Sequence, residues 1–202
     1  VAMTSSHFAS SERQYRFPLG YGGQRTPTAQ WTVTGSGAAL VSQTGQGPII
    51  DSCTMGTVTE MGITDAANMG AAMAPAAADT LLALLEDTRT TPADYDLIVT
   101  GDLGQVGHDL LLSLMEGQGM PLNPDRYRDC GLMIYAPQQD THAGGSGCGC
   151  SAAVLCAHIL PQLQQGKLGN VLFIGTGALM SPTTSQQGQS IPAIAHLVQL
   201  CK

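Results

Sequence analysis

The chain has 202 residues, 43% hydrophobic and only 11% charged, with 25 glycines and a formal net charge of −7. That length buries a sizeable core in one α/β domain or a piece of a larger one. Eight Lys and Arg, in no basic cluster, argue against a nucleic-acid partner.

Val1–His7 lacks the charged start and long apolar run of a secretory signal, so a reducing compartment is expected. In that setting the six cysteines, Cys53, Cys130, Cys148, Cys150, Cys156 and Cys201, are read as free thiols. Trp31–Ser42 starts with alternation and ends in an apolar run, the pattern of a strand buried on both faces. Pro48–Thr59 reads as a second strand, followed by a loop containing Gly62, Asp65, Asn68 and Gly70. Ala74–Asp87 is the clearest helix, because Ala77, Leu81, Leu84 and Leu85 recur at helical spacing.

Tyr95–Thr100 is a short apolar strand, the turn Gly101-Asp102 follows, and a helix is expected from about His108 to Glu116. Strand, turn and helix in that order make a parallel α/β unit. A further unit is read as strand Gly131–Tyr135, the loop Ala143–Cys150 and helix Ser151–Gln164. Strands Asn170–Gly175 and Ile194–Leu200 complete the set. No stretch approaches the roughly 20 uninterrupted apolar residues of a membrane crossing; even Ser151–Leu160 is broken by His158 and ended by Pro161.

Gly144–Gly149 lies between a strand and a helix, where backbone amides can face an anion. It is neither a phosphate-binding Gly-Lys-Ser/Thr loop nor a dinucleotide fingerprint. A tight turn that packs the next helix under the sheet explains the glycines equally well. Cys148 and Cys150 are too close for a common zinc spacing. Each is read either as a nucleophile at a helix start or as a small buried hydrophobe.

His7, His108, His142, His158 and His196 lie in no motif that pairs one with a nucleophile. Asp102 follows a strand, at the carboxyl edge where open α/β sheets place ligand contacts; its other reading is a helix cap. Arg13, Arg16 and Arg25 cluster with Tyr15, Phe17, Tyr21 and Trp31, a composition that suits a planar carboxylated ligand or a surface loop packed on its own aromatics.

Longer blocks carry a resemblance. Thr4-Ser5-Ser6-His7, Glu12-Arg13-Gln14, Tyr21-Gly22-Gly23-Gln24, Thr32–Ala38, Met73–Thr80, Thr100-Gly101-Asp102-Leu103, Asp129–Tyr135 and Ala143–Cys148 resemble the stage V sporulation protein AD family of spore-forming bacteria, and they run from end to end of the chain. The resemblance implies a thiolase-like fold: mixed, mostly parallel sheets with buried helices, in two similar halves. Residues 1–47 would be the remainder of an incomplete N-terminal half and 48–202 the C-terminal half. The family segment with the thiolase-type cysteine is expected to precede Val1.

The resemblance further implies a non-catalytic protein that binds dipicolinic acid, with or without calcium, and needs no cofactor. By similarity Asp102 and Gly145 stand where condensing enzymes carry a His and a second donor, and neither supplies an oxyanion hole. The ligand contacts so implied are Asp102, Gly144, Gly145, Ser146, Gly147 and Cys148, with His7 and Arg13. Implied partners are membrane subunits of the dipicolinate channel and a second copy of the chain, at the cytoplasmic side of the forespore or spore inner membrane. The rival readings are an acyltransferase using Cys148 or Cys150, and a scaffold that only bridges channel subunits.

Overall fold

The structure, a computed structural model, describes residues 1–8 and 26–202. At its centre is a five-stranded sheet of Ile49–Thr54 (β4), Ala193–Cys201 (β9), Asn170–Ala178 (β8), Leu97–Thr100 (β5) and Tyr127–Asp129 (β6), in that order. β5 pairs in parallel with both β6 and β8, while β9 runs antiparallel to β8 and β4, so the sheet is mixed as expected.

Side chains alternate across this sheet. Ile98 of β5 and Leu172 and Ile174 of β8 enter one core; Val99 and Val171 enter another on the opposite face. Met69–Thr88 (α1) and Gly104–Gly117 (α2) cover the first face. The second is covered by a helix built as Cys148–Val154 (α4), a π turn at Leu155–Ile159 and Leu160–Gln164 (α5).

α1 carries Ala72, Ala74, Ala76, Ala77 and Ala78 with Leu81, Leu84 and Leu85 into the core, and such small side chains let it lie close to β8 and β9. Leu81 has no exposed surface; cutting it to alanine costs about 2–5 kcal/mol. Thr80 Oγ1 donates to Ala195 O on β9 at 2.8 Å and to Ala76 O at 3.0 Å, which satisfies a buried hydroxyl. Among the described residues α1 is the one helix long and apolar enough to cross a membrane, and most of it is buried inside the fold.

α1 begins a turn and a half before the expected Ala74, upstream of Pro75. Proline removes a helical hydrogen bond there. The early turn is held instead by packing, since a Cβ on Gly70 would strike Leu103 O and approach Gly107 N to 2.9 Å.

Three further expectations are corrected. The single buried strand over 31–42 is two elements: Trp31–Thr32 (β2) pairs in parallel with Gly145–Ser146 (β7), and Gly35–Ala39 (β3) pairs antiparallel with Ala2–Ser6 (β1) and is half exposed. The expected strand Gly131–Tyr135 is a helical turn, Cys130–Met133 (α3), after the short strand β6. Gly131 lies there against Gly145 O, where any side chain clashes. The helix expected from Ser151 begins at Cys148 and contains the π turn.

Candidate functional site

β5 ends at Thr100, and the chain turns at Gly101 against β8, where a Cβ would come within 2.9 Å of Thr176 Oγ1. The turn delivers Asp102 to the carboxyl edge of the sheet, as the sequence suggests. Its Oδ2 accepts from Gly147 N at 2.7 Å and its Oδ1 from Thr176 Oγ1 at 2.8 Å; its own amide donates to Thr176 Oγ1 at 3.1 Å. Gln30 Nε2 donates to Asp102 O and Gly145 O, both at 2.8 Å, and ties the turn to β7.

Beneath this turn lies Asp129, at the end of β6 and 1% exposed. Its carboxylate accepts from Thr100 Oγ1 at 2.7 Å, Leu103 N at 2.8 Å and Gly104 N at 3.0 Å. Burial pushes the Asp129 carboxyl up to about 6, aided by the negative charge of Asp102 and opposed by the Thr100 hydroxyl and the two amides.

Beside Asp102 opens a cavity of about 970 Å³. Ser5, Ser6 and His7 from the end of β1, Thr34 and Ser36 from around the start of β3, and Ser146, Gly147 and Cys148 from β7 and the start of α4 line one side. Met69 and Met73 of α1, Ala178 at the end of β8, and Leu179 and Met180 after it also line it.

Of the residues singled out from the sequence, His7, Asp102, Ser146, Gly147 and Cys148 thus converge on one cavity, though His7 and Cys148 are more than 140 residues apart. Gly144 and Gly145 are not among its lining residues and pack behind it, against Gly131 and Ile134. Arg13, with Arg16, Arg25, Tyr15, Phe17 and Tyr21, lies outside the described residues.

The glycine-rich segment is not an open cradle of amides. Gly144 N donates to Thr141 O, Gly147 N to Asp102 Oδ2 and Gly149 N to Ser6 Oγ. Its glycines serve geometry: Gly147 has φ +101 and Gly144 φ +107, and a Cβ on Gly147 would approach Ser6 Oγ to 3.0 Å.

The cysteines divide. Cys150 is fully buried and burial raises its thiol far above the ordinary range, the opposite of what activates a nucleophile. Cys148 is exposed at the cavity and its Sγ donates to Ser5 O at 3.2 Å. Among the described residues no three His, Cys, Asp or Glu side chains gather to hold a metal ion.

Sequence reasoning missed Ser5, Ser6, Gln30, Thr34, Thr176 and the methionines as parts of the site. Thr176 carried a usable signal, lying just after the apolar run 170–175 at a sheet edge; Gln30 and the methionines carried none.

The model of the family described as stage V sporulation protein AD matches residues 1–201. The chain belongs to the stage V sporulation protein AD family. It is 52% identical over 196 residues to the stage V sporulation protein AD of Bacillus subtilis (strain 168), an alignment covering 97% of this chain and 58% of that relative. The chain therefore spans less than two thirds of the relative's length. Membership makes it a sporulation-family protein.

Among solved structures it is partly similar to 3-oxoacyl-[acyl-carrier-protein] synthase III from Aquifex aeolicus VF5, at 16% identity and a TM-score of 0.35 over 62% of this chain and 37% of that one. It is also partly similar to the ketosynthase ApeO in complex with its chain length factor ApeC from Xenorhabdus doucetiae, at 14% identity and a TM-score of 0.31 over 65% of this chain and 57% of that one. Neither likeness bears on the chemistry of the site.

Proposed function

We propose that this protein is a non-catalytic, thiolase-like binding component of sporulation that takes dipicolinate, a planar aromatic dicarboxylate, into the cavity beside Asp102. The observation that carries the reading is the cavity itself, where β1, β3, β7 and the start of α4 bring hydroxyls and His7 together against an apolar wall. Small-ligand sites have this composition, and volumes of about 300–1,000 Å³. The volume exceeds what one pyridine dicarboxylate fills, so the ligand is held with water, with Arg13 as a carboxylate partner, or with calcium bridging it to Asp102.

The non-catalytic part of the reading is supported by how the polar groups are used. Both Asp102 carboxylate oxygens already accept hydrogen bonds, the Ser6 hydroxyl donates to Val33 O while accepting from Gly149, and Cys148 Sγ faces a carbonyl. A nucleophile needs a base at its side instead. Membrane subunits of a dipicolinate channel, at the forespore or spore inner membrane, are the proposed docking partners.

Calorimetric titration of dipicolinate, with and without calcium, into this chain and into the full-length Bacillus subtilis relative tests the reading. Saturable binding to this chain is expected. Binding to neither protein removes the ligand and leaves a scaffold that bridges channel subunits.

A further inference from the structure

The cavity's two walls come from opposite faces of the central sheet. α1, which supplies Met69 and Met73, packs on one face with Ala178 close by, while α4 packs on the other and carries β1 and β3 with it. The apolar lining is Met69, Met73, Ala178, Leu179 and Met180; the polar lining is made of hydroxyls, His7, Cys148, Gln30 and the Asp102 carboxylate.

The apolar wall is built with some precision. Met69 and Met73 are four residues apart, so they stack on one helix face. The Gly70–Gly107 approach, too close for a side chain on either glycine, pins the first turn of α1 against the residues that follow Asp102. Met73 is 4% exposed and Met69 half-buried, so both side chains are packed into the fold at the edge of the cavity. A polarizable thioether makes favourable contacts with an aromatic ring that a saturated chain does not repay equally.

We propose that Met69 and Met73 are specificity-determining residues of this site, selecting a ligand with a flat aromatic face over an aliphatic dicarboxylate of the same span. This rests on the binding function proposed above and adds to it the source of discrimination: the hydroxyl wall meets the carboxylates and the methionine wall meets the ring.

The test uses three dianions at neutral pH: dipicolinate; isophthalate, which keeps the ring and the carboxylate spacing without the ring nitrogen; and glutarate, which keeps three atoms between carboxylates without a ring. Affinities are measured for the unsubstituted chain, Met69→Gln and Met73→Leu, with thermal melting to confirm folding. Met73→Leu conserves volume and apolarity, so it reads the sulfur even where Met69→Gln folds poorly. The unsubstituted chain is expected to prefer both aromatic diacids to glutarate. Each substitution is expected to weaken the aromatic ligands by about 2- to 10-fold while changing glutarate less than about 2-fold.

Glutarate binding as tightly as dipicolinate, or both ligands weakening together in the variants, overturns the assignment while leaving the binding function in place. No binding of dipicolinate to the unsubstituted chain overturns both.

Discussion

The Gly147 amide donates to Asp102 Oδ2 at 2.7 Å across 45 residues of chain, which joins the turn after β5 to the start of α4. The turn at the carboxyl edge of the sheet and a helix packed on one face thereby share one hydrogen bond at the rim of the cavity. The shape of the site depends on that bond and on its neighbours.

Gly147 is expected to tolerate no side chain. At φ +101 an L-residue is strained, and a Cβ would crowd Ser6 Oγ, which anchors Gly149 N. Gly147→Ala should lower stability by about 1–2 kcal/mol or more. Urea unfolding measures this, and a change within error would show that the turn relaxes without cost.

Thr176 supports Asp102 twice, donating to Oδ1 and accepting from its amide. Thr176→Val keeps the shape and removes both bonds, with an expected cost of about 1–3 kcal/mol. Thr176→Ser should restore more than half of that loss. Equal stability of the Val and Ser variants would mean the hydroxyl is not the anchor.

Asp129 gives stability a pH dependence. Its folded carboxyl titrates at about 6, above the unfolded value near 3.9, because burial outweighs its three donors. Between those values the folded state binds more protons than the unfolded state, so this group makes stability fall as pH rises from about 4 to 6 and level off above. Asp129→Asn is uncharged throughout and should abolish that fall. Urea midpoints of both proteins from pH 4 to 7 decide it, and parallel curves would contradict it.

Cys148 and Cys53 are exposed, whereas Cys130 and Cys150 are buried with thiols raised by burial. Iodoacetamide should modify the first pair in the native protein and the second only after denaturation. Incubation with an acyl-CoA should release no CoA and leave no acyl group on Cys148. Stable acylation there would restore the acyltransferase reading.

Much of the fold was legible where local signals agreed. The run Leu97–Thr100, the glycine after it and the apolar spacing of α2 all point to a parallel unit, and they form one. Gly131–Tyr135 misled because a short apolar run fits strand and helix alike, and the close approach of Gly131 to Gly145 O comes from a distant segment that the local pattern does not show. The β1–β3 pair was invisible for the same reason, since Ala2–Ser6 carries no strand pattern apart from its partner. At the site, Asp102 was legible from its place after a strand and Ser146–Cys148 from glycine spacing. The internal use of the Gly147 and Gly149 amides was not, because it needs Asp102 and Ser6 in three dimensions. Met69 and Met73 read as ordinary core residues, and only the cavity distinguishes them.

The most direct test of the central claim is the rate of Cys148 alkylation, followed by mass spectrometry, as dipicolinate is added. Cys148 lines the cavity and Cys53 lies on β4, outside the residues that line it. Ligand in the cavity predicts a saturable slowing at Cys148 with Cys53 unchanged. Equal rates at Cys148 with and without saturating dipicolinate would contradict it.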